Sequence, residues 1–305
     1  MQELDQVKIN FDSQGLWILN IALAIVMFGV ALGITLDDFK RLLHKPKLLF
    51  LGIASQFIML PLVTFLFVYV VRPQPSIALG MFMVAACPGG NISNFMTHLA
   101  KGNSALSVSL TAFATLIAIV MTPFNFQFYG SLYQPTAGLL RDVALNPFDV
   151  LEVVGMILGI PLLLGMFVRK SFPELAQRLS KWLKPFSIIV FVAIVIIAFS
   201  KNLDVFTGYI DHVLLLGITH NFLAVLLGWF LAKSLKVSLR DKKTIAIETG
   251  IQNSGLGLLL IFTFFNGLGG MAIMAAFLGI WHIVSGLVLA YFWSFKTAKA
   301  QTVIH

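Results

Sequence analysis

The sequence predicts an all-α, polytopic membrane protein with nine transmembrane helices. Three observations carry this. Of 305 residues, 58% are hydrophobic and only 11% are charged, against about 25% charged in soluble domains. The apolar residues gather in runs of about 20, the length that crosses a bilayer. Two of these runs are interrupted in the same way by glycines, amides and hydroxyls, and they lie five runs apart.

Taken in order, the first span, Leu16–Leu36, is uncharged and stops at Asp37 and Asp38. The second, Leu48–Val71, starts after the basic "HKPK" and ends at Arg72. Ser76–Leu99 follows "RPQP" and carries the first interruption. Ala105–Tyr129 is apolar with a sprinkling of Ser and Thr. Asp149–Val168 stops at Arg169 and Lys170. Leu183–Phe199, lying between Lys181 and Lys201, is short. His212–Ala232 ends at Lys233, Thr244–Phe265 is the most polar span, and Gly270–Trp293 completes the set. Nine spans put the termini on opposite sides.

The net charge of +8 follows the same division. Of the 21 Lys and Arg, all but Lys8, Arg72, Arg141 and Lys201 fall in the loops after spans one, three, five and seven or in the C-terminus. Cytoplasmic loops are enriched in Lys and Arg. The N-terminus is therefore expected outside and the C-terminus in the cytoplasm of a cell (inner) membrane. The basic balance is explained without nucleic acid. The first fourteen residues are polar and lack a signal-peptide pattern. The lone Cys87 rules out an internal disulfide and a multi-cysteine metal site; it sits in an apolar run and reads as packing.

The interrupted third span reads "SIALGMFMVAACPGGNISNFMTHLA" and the eighth "KTIAIETGIQNSGLGLLLIF". Pro88 lacks an N–H and disrupts a helix. Gly89 and Gly90 allow helix-ending dihedrals. Irregular backbone at membrane depth persists only where protein or a water-filled cavity covers it. The two breaks are thus expected to meet inside the protein. An odd separation makes the two spans cross in opposite directions, the pattern of an inverted-repeat transporter with paired discontinuous helices.

Glu248 is the one acidic residue well inside a span. An intramembrane carboxylate is costly and marks function. No basic residue lies in the apolar parts of the spans to pair with it, so a metal cation or a proton is its expected partner. Gln252, Asn253, Thr249, Ser93, Asn94 and unwound carbonyls surround it in sequence. All offer oxygen, which suits hard cations rather than zinc or copper. Half-helix N-termini at the same crossing favour an anion. Ser107 and Thr111 share a helix face, where each hydroxyl either bonds its own backbone or joins the site. His220 and His282 read as interior histidines. The sequence holds no Walker A motif, nucleophile elbow or zinc-protease motif. An ATP-driven pump or a familiar hydrolase is not expected, and the chain reads as no enzyme.

These residues resemble the bile acid:sodium symporter family. The likeness runs from "VMFGVALGITLDDFKRLLHKPK" through "ASQFIMLPL", "CPGGNISNFMTHLAKGNSALSVSLTAFATL" and "IETGIQNSGL" to "GIWHIVSG". It implies an inverted repeat of ten helices, or nine where the first is absent. The helices would divide into a panel (about 16–71 and 149–199) and a core (76–129 and 212–293) holding the two crossed broken helices. It implies sodium, two ions. The first would be held by Ser93, Asn94, Ser107, Thr111 and Glu248. The second would be held by Gln56, Glu248, Gln252 and backbone carbonyls near Thr249 and Ile251. Asn91, Asn253 and His282 would then face the substrate. Asn91 and Ile92 replace the family's usual Thr-Ala, and Ile283 an asparagine of some bacterial relatives. Both departures lie toward the substrate. The expectation is sodium-coupled symport of an organic anion such as a bile acid, steroid conjugate or small carboxylate. A proton-coupled transporter or antiporter on the same fold is the alternative.

Overall fold

The computed structural model describes residues 5, 13–143, 147–200 and 203–302. Among them there is no strand, only α-helix with two π-helical turns and one isolated antiparallel bridge. The helices are α1 (Ser13–Ala31), α2 (Leu36–Leu43), α3 (Pro46–Ala54), α4 (Leu60–Val71), α5 (Pro75–Ala86), α6 (Asn91–Leu99), α7 (Ser104–Leu132) and α8 (Gln134–Val143). They continue as α9 (Pro147–Val154), α10 (Ile160–Ser171), α11 (Pro173–Ser200), α12 (Leu203–Ser234), α13 (Leu239–Gly250), α14 (Ser254–Phe264) and α15 (Gly269–Thr302). Five helical stretches are long and apolar enough to cross a membrane: Pro46–Val71, Ser104–Leu132, Phe148–Ser171, Thr207–Ser234 and Gly269–Ser294. Many large apolar side chains point outward along them, including Phe50, Leu66, Phe124, Leu163, Phe222 and Leu287, as a lipid-facing surface requires.

Both expected breaks are present. α5 ends at Ala86 and α6 starts at Asn91; α13 ends at Gly250 and α14 starts at Ser254. The two unwound segments lie antiparallel and pair. The Gly90 N–H donates to the Ile251 carbonyl (2.9 Å), and the Asn253 N–H donates to the Pro88 carbonyl (2.8 Å). Orphan carbonyls at the helix ends also find partners. Thr122 of α7 donates to the Ala86 carbonyl (2.8 Å), and Asn221 of α12 donates to the Gly250 carbonyl (2.7 Å). Unwound backbone is thus satisfied within the protein, the condition for its survival at membrane depth.

Two features go beyond the expected spans. The expected Leu16–Leu36 span ends as a helix at Ala31, and Thr35 caps the separate helix α2 in a capping box. The Asp38 N–H donates to Thr35 Oγ1 (3.3 Å) and the Thr35 N–H to Asp38 Oδ2 (2.8 Å), a reciprocal pair that starts a helix. The second is a pair of π-turns, Ser55–Met59 and Gly155–Gly159, each with a proline two residues on, Pro61 and Pro161. Pro61 has no N–H for the Phe57 carbonyl. Asn125 of α7 donates to that carbonyl instead (2.8 Å).

The expected short sixth span, Leu183–Phe199, lies inside the 28-residue α11. Its Lys181, Lys184 and Pro185 bounded the apolar run without ending the helix. α1 packs on α10 and α11. The second span, α3 with its π-turn and α4, packs instead on α5, α7, α12 and α13, the spans assigned to the core. Small residues allow the tightest crossings: a Cβ on Gly80 would lie 2.9 Å from Met271 Cα, and one on Gly228 2.8 Å from Ala246 Cα. The main apolar core lies between α5, α7, α14 and α15, around Met81, Leu259, Met271 and Met274.

Candidate cation site at the paired helix breaks

Glu248 sits in the last turn of α13, two residues before its break, and is fully buried. A helix C-terminus is the negative end of the dipole, so its position adds to the cost of a buried charge. Lys40 and Asp37 form an ion pair on the surface (3.8 Å).

Hydroxyls and an amide oxygen surround the carboxylate instead. Ser93 donates to Oε1 (2.7 Å). Ser107 makes a short contact to the same oxygen. Thr111 donates to Oε2 (3.2 Å). Asn94 Oδ1 lies 2.8 Å from Ser107 Oγ and 3.3 Å from Thr111 Oγ1. Thr97 Oγ1 lies 3.3 Å from Ser107 Oγ. Each hydroxyl carries one proton. If Ser107 and Thr111 give theirs to Glu248, the approaches to Asn94 Oδ1 have no proton between the oxygens. This is a cage with more oxygens in contact than hydrogens to join them. A hard cation suits such a donor set. Among the described residues there is no His, Cys, Asp and Glu cluster of the kind that holds a transition metal.

A second group of oxygens converges beside Gly89. A Cβ there would lie 2.9 Å from Glu248 Oε2, 3.1 Å from Gln56 Oε1 and 3.3 Å from the Glu248 carbonyl. Only glycine leaves this space open. Gln56 lies on the π-turn and its Oε1 accepts the Gly89 N–H (2.9 Å). Gln252 donates from Nε2 to the Thr249 carbonyl (2.8 Å) and the Glu248 carbonyl (3.2 Å). Its buried Oε1, like the buried Gln56 Nε2, has no hydrogen-bond partner.

The structure therefore brings together all five residues assigned by resemblance to the first ion. Gln56, Glu248 and Gln252 of the second set also meet. The Thr249 and Ile251 carbonyls are already engaged, with Gln252 Nε2 and the Gly90 N–H respectively. The Thr249 hydroxyl turns away, to Ser55 Oγ (2.9 Å) and the Ile245 carbonyl (2.8 Å).

On the other side of the crossing, Asn91 is the first residue of α6 and half-buried. Asn253 caps α14, its Oδ1 accepting the Leu256 N–H (3.1 Å). Buried His282 lies 3.3 Å from Ser254 Oγ through Nδ1. The N-termini of α6 and α14 both start here, an arrangement that favours negative charge. His220 is likewise interior, with Nε2 2.8 Å from Thr64 Oγ1. Cys87 is buried in the apolar core.

Sequence reasoning missed Thr97 and Ser55 as parts of this region and read Gly89 as a helix breaker, not as the space that keeps Gln56 and Glu248 apart. Gly89 had a signal, since one glycine after Pro88 suffices to end a helix and a second is surplus.

The profile described as Sodium Bile acid symporter family matches residues 20–209. The chain is 36% identical over 295 residues to the "Uncharacterized sodium-dependent transporter YocS" of Bacillus subtilis, covering 96% of this chain and 88% of the relative. It is 30% identical over 280 residues to the "Probable sodium/metabolite cotransporter BASS1, chloroplastic" of Arabidopsis thaliana, covering 92% and 67%. Its fold is like that of the sodium proton antiporter MjNhaP1 from Methanocaldococcus jannaschii, with a TM-score of 0.55 at 13% identity over 91% of this chain and 83% of the other. The chain belongs to the sodium bile acid symporter family.

Proposed function

We propose that this protein is a sodium-coupled symporter that carries an organic anion across the membrane by alternating access. The observation that supports it most is the cage around Glu248: Ser93, Asn94, Ser107 and Thr111 crowd one buried carboxylate with no basic side chain among them. In this reading two sodium ions bind, one inside the cage and one beside Gly89 with Gln56, Glu248 and Gln252. They draw the broken spans together through Glu248. With the ions in place, the paired N-termini of α6 and α14, with Asn91, Asn253 and His282, take the anion. Names of the relatives, sodium-dependent transporter and sodium/metabolite cotransporter, accord with this.

The moving parts are a core and a panel. We place the second span in the core, because it carries Gln56 and packs on α5, α7, α12 and α13. The panel is then α1 with α9, α10 and α11. The N-terminus lies outside and the C-terminus in the cytoplasm of the cell membrane, following the basic loops. Two sodium ions with a monovalent anion move one net positive charge inward, which a potential of about 100 mV favours by about 2.3 kcal/mol.

The test is uptake of a panel of radiolabelled carboxylates and steroid conjugates into proteoliposomes, with an inward sodium gradient and with choline in its place. Sodium-driven uptake that Glu248→Ala abolishes is the expected result. Uptake that follows a proton gradient and ignores sodium would replace this reading with proton coupling at Glu248.

A further inference from the structure

We propose that Asn103 and Thr244, backed by Arg240, Asp241 and Lys243, form a polar clamp that positions the oxygen ligands around Glu248 and sets the sodium affinity. This rests on the sodium reading of that site.

The five ligands come from three separate helices: Ser93 and Asn94 from α6, Ser107 and Thr111 from α7, Glu248 from α13. Something must hold these helices in register. The segment from Ala100 to Asn103 joins α6 to α7, and the first two turns of α13 grip it. Lys243 Nζ donates to the Ala100 carbonyl (2.8 Å). The Arg240 guanidinium reaches the Gly102 carbonyl (3.4 Å). The Asn103 N–H donates to Thr244 Oγ1 (2.8 Å), and its Nδ2 donates to Asp241 Oδ1 (2.7 Å). The same Asn103 caps α7 by accepting the Leu106 N–H (3.1 Å).

The spacing makes this grip part of the cation site. Asn103, Ser107 and Thr111 recur every four residues on α7, and Thr244 and Glu248 do so on α13, so each set lies along one face. The Asn103–Thr244 contact is therefore the rung one turn before the Ser107–Glu248 contact. A slip of one residue between the two helices is about 1.5 Å, enough to take Ser107 off the carboxylate.

The turn itself is tight. Lys101 adopts φ 56°, a left-handed conformation that a lysine holds only where its surroundings impose it. A Cβ on Gly102 would lie 2.8 Å from Thr97 Cγ2 and 3.0 Å from Thr244 Oγ1. Thr97 in turn touches Ser107 Oγ. Thr244 is fully buried. Lys243 also donates to the Trp293 carbonyl on α15 (3.0 Å), so the clamp holds a fourth helix as well.

The test uses the purified full-length protein and the sodium concentration giving half-maximal thermal stabilisation. Thr244→Val keeps the shape but removes the acceptor of the Asn103 N–H. It is expected to raise that midpoint roughly fivefold, as one lost buried hydrogen bond allows. Thr244→Ser restores the hydroxyl and is expected to return the midpoint to the wild-type value. Asn103→Ala, which loses the Asp241 contact and the cap of α7 but keeps the N–H bond, is expected to raise it about threefold, and decides the matter alone if Thr244→Val does not fold. A clamp that served stability alone would lower the melting temperature without sodium and leave the midpoint unchanged; that outcome overturns the proposal. Glu248→Ala is the control: if it retains the sodium response, the site reading fails; if it loses the response while Thr244→Val does not shift it, the clamp alone fails.

Discussion

The two helix breaks share a geometry and differ in chemistry. Each half-helix before a break has an orphan carbonyl capped from a neighbouring helix, Ala86 by Thr122 and Gly250 by Asn221. Each half-helix after a break presents an N-terminus. The third span breaks by sequence alone, through Pro88, Gly89 and Gly90, and places the neutral cage residues Ser93 and Asn94 after the break. The eighth span has no proline and places its one charge, Glu248, before the break, against the negative end of its own helix. One break thus supplies a preformed neutral cradle, and the other a buried carboxylate whose electrostatic cost a cation would remove in the proposed reading. In that reading similar backbones divide the work: the first shapes the site and the second makes it need an ion.

That division can be broken from either side. The largest effect is expected from Glu248→Ala, which removes the charge that calls for the cation. Sodium-dependent uptake should fall to background while the protein still purifies as a folded species. Gly89→Ala comes next. Its methyl would meet Glu248 Oε2 at 2.9 Å and Gln56 Oε1 at 3.1 Å, in the space proposed for the second ion. The sodium midpoint for uptake is expected to rise about tenfold or more, with the sodium dependence becoming less steep, since overpacking by a methyl costs about 1–3 kcal/mol. Gln56→Ala should act on the same ion and raise the midpoint by roughly tenfold, read from sodium titrations of uptake.

The smallest effects belong to the caps. Thr122→Val and Asn221→Ala each leave one buried carbonyl unpaired, which costs about 1–3 kcal/mol. Asn221→Ala lies on the charged break and is expected to shift the sodium midpoint as well as the melting temperature. Thr122→Val should lower the melting temperature alone. Equal sodium shifts in both would erase the distinction between the two breaks.

Both breaks were legible in the sequence because glycine, proline and amides stand out in an apolar run. Glu248 was legible for the same reason. The helix α2 carried a readable signal, Thr35 three residues before Asp38, yet the apolar pattern of the first span ran on to Leu36 and hid it. The π-turn under Gln56 was not legible: Pro61 marks a disturbed helix, but whether the backbone kinks or takes an extra residue depends on Asn125, 68 residues away, meeting the Phe57 carbonyl. The neighbours of the second span were not legible for a related reason. Its composition matches that of any apolar span, and only the structure shows its π-turn packing on α13 and α5. The convergence of Ser107 and Thr111 on Glu248 was legible through family resemblance and not through spacing, since a lone hydroxyl on a membrane helix bonds its own backbone equally well, as Ser109 and Thr115 do.

The most direct test of the central claim is the thermal stability of the purified protein across a sodium titration at constant ionic strength, with potassium as the balancing ion, for wild type and Glu248→Ala. The account predicts saturable stabilisation of the wild type by sodium and none by potassium, with the sodium effect gone in Glu248→Ala. Equal responses of the two proteins to sodium would contradict it.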